Sequence, residues 1–197
     1  LPTSQSLEEF LGSPLLTYVW DLIFGAHCRL GDEGMRALSN CSHLSNLERL
    51  VVAHNGVRDE GVAALAATQA LGNLKHLFLG DLDACQIETQ DAQILAASEH
   101  FVHLHTLSLS ENMIDDRGVA ALAQGAGLRN LKSLSLGENM GHLEGVESLA
   151  ESSHLAGLHG LDLSMNDIGP RGARALAEST QLVNLRALDL SFSRIED

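Results

Sequence analysis

Residues 104–114 read Leu104-His-Thr-Leu-Ser-Leu-Ser-Glu-Asn-Met-Ile114, and this string decides the fold. Its pattern is apolar at positions one, four, six and eleven, with Asn at nine. The pattern recurs as Leu47, Leu50, Val52, Asn55, Val57, then as Leu131, Leu134, Leu136, Asn139, and as Leu158, Leu161, Leu163, Asn166, Ile168. A last copy carries Leu185, Leu188, Leu190, Ser193 and Ile195. A third carries Leu74, Leu77, Leu79, Cys85 and Ile87. The first is degenerate: Val19, Leu22, Phe24, Cys28, Leu30. From Leu47 onward the copies start 27 residues apart, except for 30 between Leu74 and Leu104, where three residues are inserted before Cys85. A fixed period of this length signals stacked supersecondary units.

Alternation at positions four and six predicts a short strand with one buried face. The second half of each copy predicts a helix: Gly61-Val-Ala-Ala-Leu-Ala66, Gly118-Val-Ala-Ala-Leu-Ala123, Gly145-Val-Glu-Ser-Leu-Ala150 and Gly172-Ala-Arg-Ala-Leu-Ala177. Acids such as Asp59-Glu60 and Asp115-Asp116 mark helix starts, where carboxylates meet the positive helix end. Pro170 suits a first helical turn. Asp91 stands where the repeat wants Gly, and Gly141 where it wants an apolar residue, so the fifth copy is expected to be dented, with Met140 or Leu143 compensating. Strands stack at ~4.8 Å and helices at ~9–10 Å, so equal copies must curve with the strands inside. Asn at position nine has donors and an acceptor for the backbone groups left buried at the turn, and repetition makes a ladder of it.

The strings Leu131-x-x-Leu-x-Leu-x-x-Asn139 and Gly118-x-x-Ala-Leu-Ala123 resemble leucine-rich repeats of the ribonuclease-inhibitor-like subclass, and the Gly-x-x-Ala-Leu-Ala segments resemble the bacterial GALA variety. The resemblance implies a right-handed α/β solenoid of about seven repeats, with parallel strands concave and helices convex. It also implies protein binding on the concave face and ascending loops, without enzymatic activity. Residues 1–18 are expected to form an N-terminal cap, with Ser6-Leu-Glu-Glu9 as a capping box and Phe10 and Leu11 facing the core. Residues 19–197 form the solenoid, truncated in its last repeat; a longer parent chain or another chain is expected to cover that end.

Composition narrows the partner. The 197 residues carry 12 Lys and Arg against 26 Asp and Glu, a net charge of −14. That disfavours nucleic acid and anionic membrane surfaces. No apolar run is long enough to span a bilayer. Three cysteines, Cys28, Cys41 and Cys85, suggest reduced thiols and a cytoplasmic setting; the resemblance to GALA repeats implies a delivered bacterial effector as the alternative. Cys28 and Cys85 lie two copies apart, too far for a disulfide. Aromatic residues make up only 4%, so the core must be aliphatic; leucine fills 37 positions.

Outward strand positions place Arg49, Val51, His76 and Phe78 as a basic and apolar group at one end of the concave face, and Asp162 and Asp189 on neighbouring strands at the other. Position eight puts His54, Asp81, Glu111, Glu138, Met165 and Phe192 on the rim. The paired acids are expected to raise each other's pKa and to favour a cationic partner. Phe78 is expected to be exposed, an aromatic anchor. The insertion Gly80-Asp-Leu-Asp-Ala84 beside it is a candidate contact loop.

Ten histidines, with His103 and His105 closest together, do not provide the three or four converging ligands a metal needs. No nucleophile–base order or phosphate loop appears, and no cofactor is expected. Two rival functions remain: stimulation of a small GTPase, as in solenoidal activators of Ran, and substrate recognition in an effector or ubiquitin-ligase adaptor.

Overall fold

The computed structural model describes residues 4–26, 28–80 and 87–196. Helix α1 (Ser4–Leu11) leads into seven strands alternating with six helices among the described residues: β1 (Asp21–Ile23), α2 (Gly31–Ser39), β2 (Arg49–Val51), α3 (Asp59–Ala67), β3 (His76–Phe78), α4 (Thr89–Ala97), β4 (Thr106–Ser108), α5 (Asp116–Gln124), β5 (Ser133–Ser135), α6 (Leu143–Ala150), β6 (Gly160–Asp162), α7 (Gly169–Ala177) and β7 (Ala187–Asp189). The strands form one parallel sheet in chain order. Its register sets Leu22, Leu50, Leu77, Leu107, Leu134, Leu161 and Leu188 side by side. Three-residue strands have too few ladder bonds to stand alone. Burial of that leucine column against Val62, Leu65, Leu95, Leu122 and Leu149 of the helices holds the sheet in place. The column fades at its last member, where Leu188 is 42% exposed.

The position-nine ladder forms. Asn139 Nδ2 donates to Leu109 O at 2.8 Å and Leu136 O at 3.1 Å, and its Oδ1 accepts from Ile114 N at 3.0 Å. Asn112 and Asn166 repeat the arrangement, and Ser193 Oγ continues it to Leu163 O. A second ladder runs at the helix C-termini. The hydroxyls of Thr68, Ser98, Ser152 and Ser179 donate to Ser39 O, Ala66 O, Ala123 O and Ala150 O, each one copy back. Orphan carbonyls of one helix are thus satisfied by the next copy.

The helix starts are tied in the same way. Asp32 Oδ1 accepts from Arg58 N (2.7 Å) and Gly61 N (3.1 Å), and Asp116 Oδ1 from His142 N (2.7 Å) and Gly145 N (3.0 Å). A carboxylate of one copy therefore caps the next copy's helix. Helix α4 differs because Asp91 supplies its own cap, accepting from Glu88 N at 3.0 Å in a reciprocal box. Burial pushes the Asp91 carboxyl up from its usual pKa, with the Glu88 N–H opposing. That accounts for an acid where the other copies have Gly.

Two expectations are corrected. Ser6 lies inside α1, which starts at Ser4, so the helix does not open at a Ser6 capping box. Leu7 and Leu11, one turn apart, face the core, while Phe10 is 41% exposed. At Gly141, neither Met140, which is exposed, nor Leu143 fills the missing side chain. Instead Gly141 N bonds to Asn166 Oδ1, and Val119 closes in. A Cβ at 141 would sit 3.4 Å from Asn166 Oδ1 and 3.7 Å from Val119 Cγ2, ordinary contacts. Gly141→Ala should therefore raise stability by about 0.5 kcal/mol through loss of unfolded-state freedom, read as a shifted urea midpoint. Cys28 and Cys41 are free thiols; Cys85 and the insertion from Asp81 to Ala84 lie outside the described residues.

Candidate partner-binding face

Register turns the outward positions into two columns on the open face of the sheet. The first holds Asp21, Arg49, His76, Thr106, Ser133, Gly160 and Ala187; the second holds Ile23, Val51, Phe78, Ser108, Ser135, Asp162 and Asp189. All the strand residues expected here are on this face.

At its N-terminal end Arg49 is already engaged. Its Nη1 lies 2.9 Å from Asp21 Oδ2, and its guanidinium lies over the Phe78 ring, 5.4 Å from the centroid. Phe78 is consequently half-buried, not exposed as expected. His76 shares a hydrogen bond with Thr106 Oγ1 at 3.0 Å. Burial, then the neighbouring His105 and Arg49, push its pKa below the ordinary imidazole value. The expected basic group is therefore neutralised at neutral pH: one cation is paired and the other is held uncharged. The sequence reading missed the first copy's contribution. Tyr18, Trp20 and Ile23 are all exposed beside Asp21, with Trp20 62% accessible.

The C-terminal end is acidic and ordered. Asp162 and Asp189 are register partners. Asp162 accepts from Ser164 N (3.0 Å), Ser164 Oγ (2.7 Å) and Ser135 Oγ (2.6 Å), and Ser135 in turn meets Ser110 at 2.6 Å. Asp189 accepts from the N–H and hydroxyl of Ser191. Those bonds hold the Asp189 carboxyl below its usual pKa, opposite to the mutual rise expected of the pair. Donation by the Ser191 hydroxyl and N–H to the charged form sets the direction, against a smaller opposing effect of burial.

The rim residues share a backbone feature. His54, Glu111, Glu138, Met165 and Phe192 all have φ between 53° and 62°. Left-handed backbone disfavours side chains, most of all bulky ones, yet Phe192 and Met165 occupy it while 82% and 51% exposed. They flank a shallow cleft of about 350 Å³ with Asn139, Asn166, Asp167 and Arg194. His54 Nε2 and Glu111 Oε2 approach to 3.9 Å across the copy that carries the insertion. Asp81, between them in sequence, lies outside the described residues.

Among the described residues no three His, Cys, Asp or Glu side chains converge as metal ligands, and no helix is long and apolar enough to cross a membrane. What the face offers is an open surface graded from apolar and charge-neutral to acidic. The family model for leucine-rich repeats matches residues 26–39, 43–66, 102–123 and 158–177, stretches in four of the seven copies. With the sheet and the two ladders, these matches fit the fold of an α/β leucine-rich-repeat solenoid; leucine-rich repeat domains generally mediate contacts between proteins and are typically non-enzymatic scaffolds. Compared with curated proteins, the chain finds no match.

Proposed function

We infer that this protein is a binding scaffold whose open sheet face and adjoining rim grip a basic protein surface. One observation carries the reading: Asp162 and Asp189 stand side by side, with their orientation already set by Ser135, Ser164 and Ser191. Preordered carboxylates lose little freedom on meeting a Lys or Arg. The net charge of −14 would steer such a partner in, and the exposed Met165 and Phe192 beside them supply apolar anchors. The partner spans Val51 and the Arg49–Phe78 pair at one end and Glu138 and Phe192 at the other. A period of 27 with a full helix in each of the first six copies supports the ribonuclease-inhibitor-like subclass, and the Gly-x-x-Ala-Leu-Ala segments support the GALA variety. Packing of α1 against α2 supports a cap in residues 1–18. Free thiols support a reducing, cytoplasmic setting.

Affinity capture with the wild type and with Asp162→Lys/Asp189→Lys, quantified by mass spectrometry, tests this. The variant should lose the basic members of the captured set by about tenfold, one half-buried and one exposed charge reversal together amounting to roughly 1.4 kcal/mol. Equal recovery of those proteins by both baits would refute the acidic face as the binding surface.

A further inference from the structure

The second residue of each copy, just ahead of the strand, forms a column of opposite sign. Its members are Trp20, Glu48, Lys75, His105, Lys132, His159 and Arg186. The backbone joins them directly. Each N–H donates to the carbonyl of its counterpart one copy back: Glu48 to Trp20 at 2.9 Å, Lys75 to Glu48 at 2.7 Å, and His105, Lys132, His159 and Arg186 each at 2.8 Å. Hydrogen-bonded neighbours in a sheet are ~4.8 Å apart, so the side chains make one row of that pitch.

This row gathers the chain's only two lysines, although the protein is strongly acidic overall. From His105 onward it is also cleared of acids. Residues 100–110, 125–137, 152–161 and 179–188, which lead through β4 and β5 and into β6 and β7, contain no Asp or Glu; the acids Asp162 and Asp189 stand at the far ends of β6 and β7. Lys75 is held by Glu48 at 2.6 Å. Lys132 reaches only a backbone carbonyl, Gly157 O at 3.3 Å. Arg186 has no ion-pair partner among the described residues. His105, Lys132 and Arg186 are exposed, as is Arg129 beside them. From His105 to Arg186 a carboxylate-free cationic edge thus lies along one side of the sheet, while Glu111 and Glu138 line the other.

We propose that this edge docks an acidic protein segment running across the copies, with a carboxylate at every third residue. The spacing follows from the row. Lys132 and Arg186 are two copies apart, ~9.6 Å, and three residues of a polyproline II segment advance ~9.3 Å with every third side chain on one face. His159 lies between the two cations and Lys75 continues the series. Nucleic acid fits less well, because a polyphosphate brings dense charge against a body of net −14, whereas a few spaced carboxylates meet only the edge. The edge is separate from the basic-partner face and shares none of its residues.

Fluorescence anisotropy at low salt tests the proposal with a labelled peptide of repeated Glu-Pro-Pro units. Two competitors accompany it: a peptide of the same composition with its glutamates adjacent, and a single-stranded oligonucleotide of equal charge. Lys132→Glu/Arg186→Glu should bind the spaced peptide roughly tenfold more weakly, Lys132→Gln/Arg186→Gln should fall between, and Asp162→Lys should bind at least as well as wild type. The affected side chains are on the surface, and an unchanged circular dichroism spectrum confirms folding. Equal binding by the charge-reversed variant overturns the site. Equal or tighter binding of the clustered peptide or the oligonucleotide overturns the spaced acidic segment as its occupant.

Discussion

Replacing Asn166 by Ala is expected to lower stability by about 3 kcal/mol, and the same change at Asn55 by only about half as much. Asn166 is buried at a turn where four backbone groups converge. Its Nδ2 donates to Leu136 O at 2.9 Å, Leu163 O at 3.1 Å and Ser164 O at 3.0 Å, and its Oδ1 accepts from Gly141 N at 3.2 Å. The carbonyls keep other donors after truncation: Asn139 at Leu136 O, Ser193 at Leu163 O and Glu138 N at Ser164 O. Gly141 N loses its side-chain acceptor, and a buried N–H left unpaired costs about 1–3 kcal/mol. Three weakened carbonyl bonds add the rest. Asn55 donates to Gly25 O at 3.2 Å and Ala53 O at 2.8 Å, but its Oδ1 has no partner among the described residues, so its removal orphans no N–H. Urea unfolding of the two variants compares them directly. Equal losses would mean that the acceptor half of the ladder contributes nothing.

That contrast also shows what a one-dimensional pattern can tell. The leucine lattice and its asparagines were legible because both are periodic, and the register follows from the period alone. Asn55, which faces the degenerate first copy with its extra residue before Cys28, lacks the acceptor half of the ladder among the described residues. The hydroxyl ladder of Thr68, Ser98, Ser152 and Ser179 was periodic as well, but its Ser and Thr lie in return segments, where such residues read as ordinary loop composition. The crossing carboxylates of Asp32 and Asp116 were legible as helix-start acids. That each serves the following helix depends on how the copies stack.

The candidate face divides along the same line. Which side chains point outward follows from alternation, and burial alternates in that way in β2 to β6 but not in β1 or β7. What they do there depends on neighbours from other copies. Arg49 is expected to be free until Asp21 and Phe78 are brought to it, and Asp189 is expected to rise in pKa until Ser191 folds its hydroxyl onto the carboxylate. The left-handed backbone at position eight leaves no mark in composition, because His, Glu, Met and Phe occupy it in turn.

Gly127→Ala is expected to cost about 3 kcal/mol, at the upper end for overpacking. A Cβ at 127 would lie 2.1 Å from Ser98 O, a distance at which backbone must move. The position does not demand glycine in general, since its counterparts in other copies are His43, Ala70, His100, His154 and Gln181. The cause is local to the fourth copy. Where the other copies place Thr68, Ser98, Ser152 or Ser179, this one has Gly125 and no hydroxyl to reach the preceding helix end. The backbone itself moves in instead: a Cβ at 125 would be 2.9 Å from Ala96 O, and the following turn, with Gly127, lies directly on Ser98 O. Two glycines thus replace one hydroxyl bridge by close approach of two copies. Neither has a positive φ, so the cost is steric and not conformational. Gly127→Ala should therefore lower the urea midpoint more than Gly125→Ala, while Ala70→Gly, at the open counterpart, should change it little. A Gly127→Ala protein as stable as wild type would show that copies three and four can separate freely, and the close approach would then hold nothing together.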